Sequence, residues 1–386
     1  MPDSPPVIVI VGAGAAGISC ALSSAMLGAE VVLLEQSGQI GGTVAQTLIH
    51  TLGGFFDDQG DAINPGLPEE LIERLSKASP LTGKRRIGKT WILSVDPKVY
   101  QQVVGSWVNE FPAIEVCYHA TASRVAVNAN RIDEVAFSDH GNPRSLHPLA
   151  LIDATGQAAI VRGIDARLVK DGNALAGLIL QLRGVAPDAV QFPKGIALLR
   201  NIRKAAEAGG LPPECATLWL DGGVHSDEAY VKFNLLAADY DAVRMSAVAE
   251  RLVYFLQTLP DFSNAFISAS GRLGVRDGGR VQGEYTLTEA DLKQGRRFDD
   301  AVCQGCWPIE YWSPQHGVSL DYFPPGHRYQ IPLRALKVQG FDKLFVAGKC
   351  FSAEPLAQAS ARVVGSCWAM GEGLVKSLFR KSGNAA

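Results

Sequence analysis

Val7-Ile8-Val9-Ile10-Val11 runs directly into Gly12-x-Gly14-x-x-Gly17, and few features narrow a chain's fold as much. Five β-branched apolar residues in a row predict a strand buried on both faces of a parallel sheet. The small residues from Ala15 to Leu27 predict a helix that Gly28-Ala29 closes, and Glu30-Val31-Val32-Leu33-Leu34-Glu35 predicts a second buried strand. The result is a complete βαβ unit. Each of its motif residues has a physical task. Gly12 permits the tight turn, Gly14 lets the main chain approach a pyrophosphate, and Gly17 lets helix and strand pack closely. Phosphate then meets the free N–H groups and positive dipole end of the helix. The carboxylate of Glu35 can accept both adenosine ribose hydroxyls and repels a 2′-phosphate, which disfavours NADP.

The rest of the chain extends this α/β plan. Residues 36–90 are rich in Gly and Pro and predict loops with one amphipathic helix over Glu69–Ser79. A helix over Pro97–Glu110, alternating strands through Glu115–Phe137 and a buried strand over Leu149–Ala154 follow. Then the texture changes. Strands at 177–184, 217–221 and 229–236 with a helix over Ala242–Thr258 predict a mixed α+β insertion. Near the end the first texture returns in Leu344-Phe345-Val346-Ala347-Gly348 and in a small-residue helix over Ala359–Phe379. The expectation is a Rossmann-like nucleotide-binding domain with a parallel sheet, built from 1–60, 96–160 and 335–386. A substrate-binding or cap domain takes 61–95 and 161–334. A chain of 386 residues is long enough for two such parts.

Composition removes several function classes. With 36 Lys+Arg against 39 Asp+Glu, the net charge of -3 gives no broad field for nucleic acid. The basic run Lys84-Arg85-Arg86 is short and reads as a solvated loop. Seven scattered cysteines without a secretory signal predict reduced thiols in a cytoplasmic protein. The uncharged stretch 7–28 approaches the length of a membrane span, but its glycines and serines fit the strand–turn–helix reading instead.

The residues after Glu35 bear on which dinucleotide is bound. Ser37-Gly38-Gln39-Ile40-Gly41-Gly42-Thr43 carries a glycine pair that a plain NAD dehydrogenase does not require. From here the chain resembles the glutathione-reductase-type FAD oxidoreductases, and more narrowly the FAD-dependent oxidoreductase family. The resemblance rests on Gly12–Gly17, Glu35, Gly41-Gly42, Asp153-Ala154-Thr155-Gly156 and Val346-Ala347-Gly348. It rests also on Gly274-Val275-Arg276, the stretch from Arg280 to Thr288, Tyr329 to Arg334, Ala347 to Ser352 and Ser360-Ala361-Arg362-Val363. It implies FAD as cofactor. It places Gly12, Gly14, Ala15 and Gly17 at the pyrophosphate, Glu35 with neighbouring Gln36 at the ribose, and Gly42-Thr43 near the flavin-side phosphate. Ala122 would meet the adenine, Thr155-Gly156 would lie beside the cofactor, and Gly348, Arg362 and Val363 near the flavin ring. Two positions depart from the family pattern: Lys349 follows Gly348 where an aspartate is common, and Trp312 stands where a histidine is common.

Bound flavin carries the electrons, so the protein must place a substrate C–H or N–H against the ring and manage one proton. The candidates are His50, Arg276, Arg280, Glu310, Tyr329 and Arg334. His50 reads as a base, a structural histidine or a covalent flavin anchor. Arg276 and Arg334 read as clamps for a substrate carboxylate or as ion-pair partners of Asp277 or Glu310. Glu310 reads as a base or as a structural acid in a proline-containing turn. Cys303-x-x-Cys306 has no second CxxC to complete a zinc site and lies far from the segment where disulfide reductases carry their dithiol, so no metal is expected. His316, His327 and the aromatics Trp307, Tyr311, Trp312, Tyr322 and Phe323 suit a cavity wall as well as a core.

A second G-x-G-x-x-G is missing, so no dedicated NAD(P)H domain is expected. The remaining reading is a dehydrogenase, oxidase or reductase of a small organic molecule, with hydride passing to or from flavin N5. Its other electron partner would be oxygen, diffusing NAD(P)H or a redox protein. A monooxygenase or halogenase, and an electron-transfer subunit without its own substrate, are the alternatives.

Overall fold

A strand made only of Val and Ile is stable where both of its faces are covered. In the computed structural model, which describes residues 7–383, Val7–Val11 takes that position. It is the central strand of a five-stranded parallel sheet ordered Leu344–Val346, Ala150–Asp153, Val7–Val11, Glu30–Glu35, Ile114–Tyr118. Val9 lies opposite Leu151 on one side and Val32 on the other. The two ends of the chain therefore meet in one sheet, as the α/β reading requires.

The first helix, Ala15–Met26, packs against the last, Val364–Gly383, through small residues. A Cβ on Gly371 would lie 2.5 Å from the Ala16 carbonyl oxygen, so the two backbones nearly touch. The final segment differs from the single helix expected over Ala359–Phe379. It forms two helices, Pro355–Ala361 and Val364–Gly383, with the break at Arg362-Val363. The break has a steric cause: the Gly53–Gly54 segment is wedged there. Gly365 N–H donates to Gly53 O at 2.9 Å, and a Cβ on Gly365 would lie 2.5 Å from the Gly54 carbonyl carbon. The expected tail, Lys381–Ala386, lies partly outside the described residues.

The stretch read as loops contains more order than expected. Gly42–Thr47 is a short helix, and Thr51–Leu52, Thr90–Ser94 and Gly83–Ile87 form a three-stranded sheet. The basic run Lys84-Arg85-Arg86 is thus a strand and not a solvated loop. Arg85 is held by Asp221 at 2.6 Å, and Lys84 donates to Gly60 O and sits over Phe56 and Trp91.

The insertion folds as an antiparallel sheet ordered Trp219–Gly222, Glu228–Leu235, Ala176–Arg183, Phe266–Ser270. Alternation divides its faces. Leu178, Leu180, Leu182, Ala229, Val231 and Phe233 enter a second core, packed by helices Lys194–Glu207 and Ala242–Gln257. That core spans 178–265. Leu67, Leu71 and Leu75 from the expected cap segment 61–95, and apolar residues from Val281 to Leu333 within 161–334, instead join the first core. The helix Leu67–Ala78 is drawn there because Leu67, Leu71 and Leu75 lie on one face at helical spacing.

Candidate functional site

Three glycines shape the dinucleotide end. Gly12 adopts φ +103°, and a Cβ there would stand 2.5 Å from the Ala154 carbonyl oxygen. Gly42 abuts Gly14, a Cβ on it reaching 2.6 Å from the Gly14 Cα. At Gly14 itself the nearest atom to an added Cβ is the Gly42 Cα at 3.9 Å, so the space above this residue is open. Gly14 is also the N-cap of the first helix and offers no side-chain cap, leaving the first-turn N–H groups free of side-chain acceptors. An uncapped helix N-terminus under open space is what a pyrophosphate needs, and the residues fit FAD.

Glu35 is buried and fixed in place. Ala13 N–H donates to its Oε2 at 2.9 Å, while the Ser37 N–H and hydroxyl donate to Oε1 at 2.8 and 2.7 Å. The acid is therefore tied to the phosphate turn with lone pairs left for ribose hydroxyls. Ala120 N–H donates to Glu35 O, which brings the start of the Ala122–Asn128 strand to this end of the sheet. Gln36 follows in the same turn and is exposed. Asp153 is an internal scaffold: its oxygens accept from Thr155 N–H and hydroxyl and from Ile160 and Val161 N–H. Gly156, at φ +73°, places an added Cβ 2.9 Å from Lys349 Cε. Lys349 itself turns inward and donates to Val275 O at 2.7 Å. Gly348 lies against Ala16 of the first helix.

At the other end, ionisable groups from both sheets converge. The face of Glu228–Leu235 opposite its own core carries Tyr230, Lys232 and Asn234, and Asp221 pairs beside Tyr230 on the neighbouring strand. His50 lies flat on Tyr230, ring centroids 3.6 Å apart and 11° from parallel. Its Nε2 is 3.3 Å from Asp221 Oδ2, which Arg85 also holds. An ionised carboxylate only accepts, so Nε2 carries the hydrogen and Nδ1 keeps its lone pair. Nδ1 is buried and has no partner among the described residues. Burial lowers the His50 pKa, opposed by Asp221 and aided by Arg85 and Lys232. Burial also raises Asp221, but His50 and Arg85 outweigh it and hold the carboxyl below its usual range.

Next to this cluster stands Trp312, 8% exposed. Arg276 sits over its ring at 4.1 Å and Lys232 at 5.3 Å. Arg276 is buried, bonded to Leu175 O and to Asn234 Oδ1 at 2.9 Å. Its expected partner Asp277 is taken by Arg280 at 3.0 Å. Lys232 Nζ has no hydrogen-bond or ion-pair partner among the described residues, and burial pushes its pKa down to about 8, aided by Arg276 and Arg362 and opposed by Glu310 and Asp221. Glu310 accepts from the indole N–H groups of Trp312 at 2.7 Å and Trp307 at 3.0 Å. Burial raises Glu310, but Arg362, Lys232, the Trp312 bond and Arg276 outweigh it, so its pKa falls below the usual range. A carboxylate so held is a poor base and a good counter-charge. Arg362, at the break before the last helix, is 3.4 Å from Glu310 O, and Val363 packs against Gly54.

Several expected site residues lie elsewhere. Arg334 is half exposed, bonded to Asp300 through Nε and Nη2, and does not join Arg276. Its chain position, after the Tyr329–Pro332 strand, points it outward. Arg280 is locked by Asp277 and Ala353 O, and Tyr329 by Ser360 at 2.7 Å. Cys303 and Cys306 are free thiols whose pKa values burial raises, Cys306 to about 12. His327 bonds Leu292 O, and the His316 N–H bonds the Ser313 hydroxyl. Lys232, Asp221 and Arg85 were missed by sequence reasoning. The alternation Tyr230-Val231-Lys232-Phe233-Asn234 was the available signal for Lys232.

This is the fold and site of a dinucleotide-dependent oxidoreductase. The family model for FAD dependent oxidoreductases matches residues 8–374, and the chain belongs to that family. FAD is its cofactor, and it is a flavin-dependent oxidoreductase enzyme. Among solved structures it is similar to a geranylgeranyl bacteriochlorophyll reductase-like protein from Thermoplasma acidophilum, with TM-score 0.50 and 10% identity over 99% of this chain and 80% of that one. It is similar also to p-nitrophenol 4-monooxygenase from Pseudomonas putida, with TM-score 0.51 and 10% identity over 99% and 81%. At such identity the likeness is one of fold. No curated protein sequence matches the chain. Among the described residues no helix is long and apolar enough to cross a membrane.

Proposed function

We propose that the enzyme is a dehydrogenase, oxidase or reductase of a small organic molecule, with His50 as the proton-handling group. Bound FAD supplies two-electron chemistry, hydride being exchanged at its N5. The chain's own residues do the rest. The first-turn N–H groups after Gly14 hold the pyrophosphate, with Ala15 and Gly17 small enough to admit it; Gly42-Thr43 flank it. Glu35, beside Gln36, holds the adenosine ribose, Ala122 faces the adenine, and Thr155-Gly156 and Gly348 line the cofactor's length. Arg362 and Val363, at the start of the last helix, lie toward the flavin ring, where cationic charge and a helix N-terminus stabilise negative charge on reduction. The Thr51–Gly54 segment carries His50 to the same place, since Gly53 is bonded to Gly365.

The observation that carries this reading is the unpartnered Nδ1 of a buried, neutral histidine. Tyr230 fixes its plane and Asp221, pinned by Arg85, fixes its tautomer, so Nδ1 is held as a proton acceptor. Trp312 and Trp307 donate to Glu310, and Arg362, Lys232, the Trp312 bond and Arg276 keep that acid ionised against the cost of its burial. Oxygen, diffusing NAD(P)H or a redox protein serves as the other electron partner, in keeping with the single dinucleotide fingerprint.

Anaerobic mixing of the FAD-loaded enzyme with amino acids, amines and hydroxy acids tests this. Loss of visible flavin absorbance on mixing with one of them supports direct substrate oxidation. A second reading, monooxygenase or halogenase, draws on the fold shared with p-nitrophenol 4-monooxygenase. It would gain if no compound bleached the flavin while an oxygenated or halogenated product formed aerobically with an external reductant.

A further inference from the structure

Three side-chain cations, Lys232, Arg276 and Arg362, crowd around the single carboxylate of Glu310. That carboxylate is already engaged by two indole N–H groups. The nearby Asp221 does not balance the excess, because Arg85 occupies it, and Asp277 is occupied by Arg280. Guanidinium groups remain charged in proteins. Gathering uncompensated cations away from bulk water is unfavourable unless an anion joins them. The three differ in what they leave open. In the proposed function Arg362 lies toward the flavin ring. Arg276 and Lys232 both lie against the Trp312 ring, and the ammonium of Lys232 has no acceptor among the described residues.

We propose that the substrate is an organic acid whose carboxylate is taken between Lys232 and Arg276 over the Trp312 ring. The inference rests on the oxidoreductase reading for the word substrate, and on the cation pair alone for the anion. Arg276 is preorganised by Leu175 O and Asn234, so its remaining N–H groups have a set direction. Lys232 supplies a mobile point charge across from it. Two cations against one indole combine an apolar ring with cationic donors, which suits a carboxylate attached to a flat or short carbon skeleton. His50 stands beside this cation pair, since it stacks on Tyr230, and Tyr230 and Lys232 are alternate residues of one strand face.

The test uses the FAD-loaded enzyme and two probe pairs, benzoate with benzamide and acetate with acetamide. Binding is read from perturbation of the flavin visible spectrum and, separately, by calorimetry. The acids are expected to bind and their amides are not. Lys232 faces Arg276, Arg362, Glu310, Asp221 and His50; burial pulls Arg276 down as well, to about 9, but a guanidinium keeps its proton in proteins, so the loss of charge near pH 8 belongs to Lys232. Benzoate affinity should therefore be flat below about pH 8 and fall about tenfold per pH unit above it. Lys232→Gln should weaken benzoate about ten- to a hundredfold, as for loss of one charged hydrogen bond, and should remove the alkaline decline. Lys232→Arg should keep binding and move the decline out of range. Unchanged FAD content in both variants shows that they fold. Benzamide binding as tightly as benzoate, chloride binding more tightly than either acid, or an unaltered decline in Lys232→Gln would overturn the proposal. Flavin bleaching by a neutral alcohol or amine without benzoate binding sinks this inference and leaves the oxidoreductase reading standing. Benzoate binding as described, with no compound reducing the flavin, does the reverse.

Discussion

Gly14→Ala separates cofactor binding from folding more cleanly than any other change in the cradle. The backbone at Gly14 is extended, φ −85° and ψ −172°, so an alanine is not strained there. Its methyl would meet nothing closer than the Gly42 Cα at 3.9 Å. The FAD-free protein should lose only the modest advantage of glycine over alanine at an N-cap, about 0.5–1 kcal/mol. The same methyl, however, projects into the space that a pyrophosphate must occupy to reach the first-turn N–H groups. Losing one charge-assisted hydrogen bond costs about 1.5–3 kcal/mol, a ten- to hundredfold weaker Kd for FAD. Gly12→Ala is the contrast. It places a Cβ 2.5 Å from the Ala154 carbonyl oxygen at φ +103°, so it should destabilise the FAD-free protein by several kcal/mol. Denaturant unfolding of the FAD-free proteins and flavin-fluorescence titration give both quantities. Gly14→Ala with undiminished FAD affinity, or with a fold as damaged as that of Gly12→Ala, would refute the placement of the pyrophosphate.

Other outcomes follow from the ionisable cluster. His50→Gln should lower kcat by about 10²–10⁴-fold at neutral pH. In the unmodified enzyme, kcat/KM should hold as pH falls and drop only below the ordinary histidine value of about 6.5, because burial keeps the ring neutral to lower pH; a drop at higher pH contradicts this. Arg85→Gln leaves the Asp221 charge uncompensated beside His50, which favours the protonated ring, so the acid limb should move upward. Arg334→Gln breaks a half-exposed pair with Asp300 and should change stability by less than about 1 kcal/mol and leave catalysis alone, checked by thermal unfolding and kcat/KM.

The nucleotide half was legible because one short-range pattern carries it. A β-branched run, a glycine turn and a terminal acid are adjacent in sequence, and the structure needs only their local geometry. The insertion was legible as strands but not as a surface. Val231 and Phe233 mark the face that packs on its own helices, and Tyr230, Lys232 and Asn234 follow as the opposite face. What that face meets is set by the tertiary return of the chain, which no local pattern contains. The pairing of Arg85 with Asp221 joins residues 136 apart, so a charged run read as solvated turned out to be a bridge. Arg334 failed for the complementary reason. Its residue type suits a carboxylate clamp, but the turn after Tyr329–Pro332 aims it at Asp300. Trp312, which looked like a departure from a family histidine, is the ring against which both Arg276 and Lys232 lie.

The most direct test is to count flavin on the purified chain, before and after unfolding it. Equimolar FAD, released on denaturation and restored on refolding with added FAD, is the expected result for a cradle of main-chain amides and one ribose-binding acid. A colourless protein that takes up no FAD from excess, while its far-ultraviolet spectrum shows it folded, would contradict that cradle.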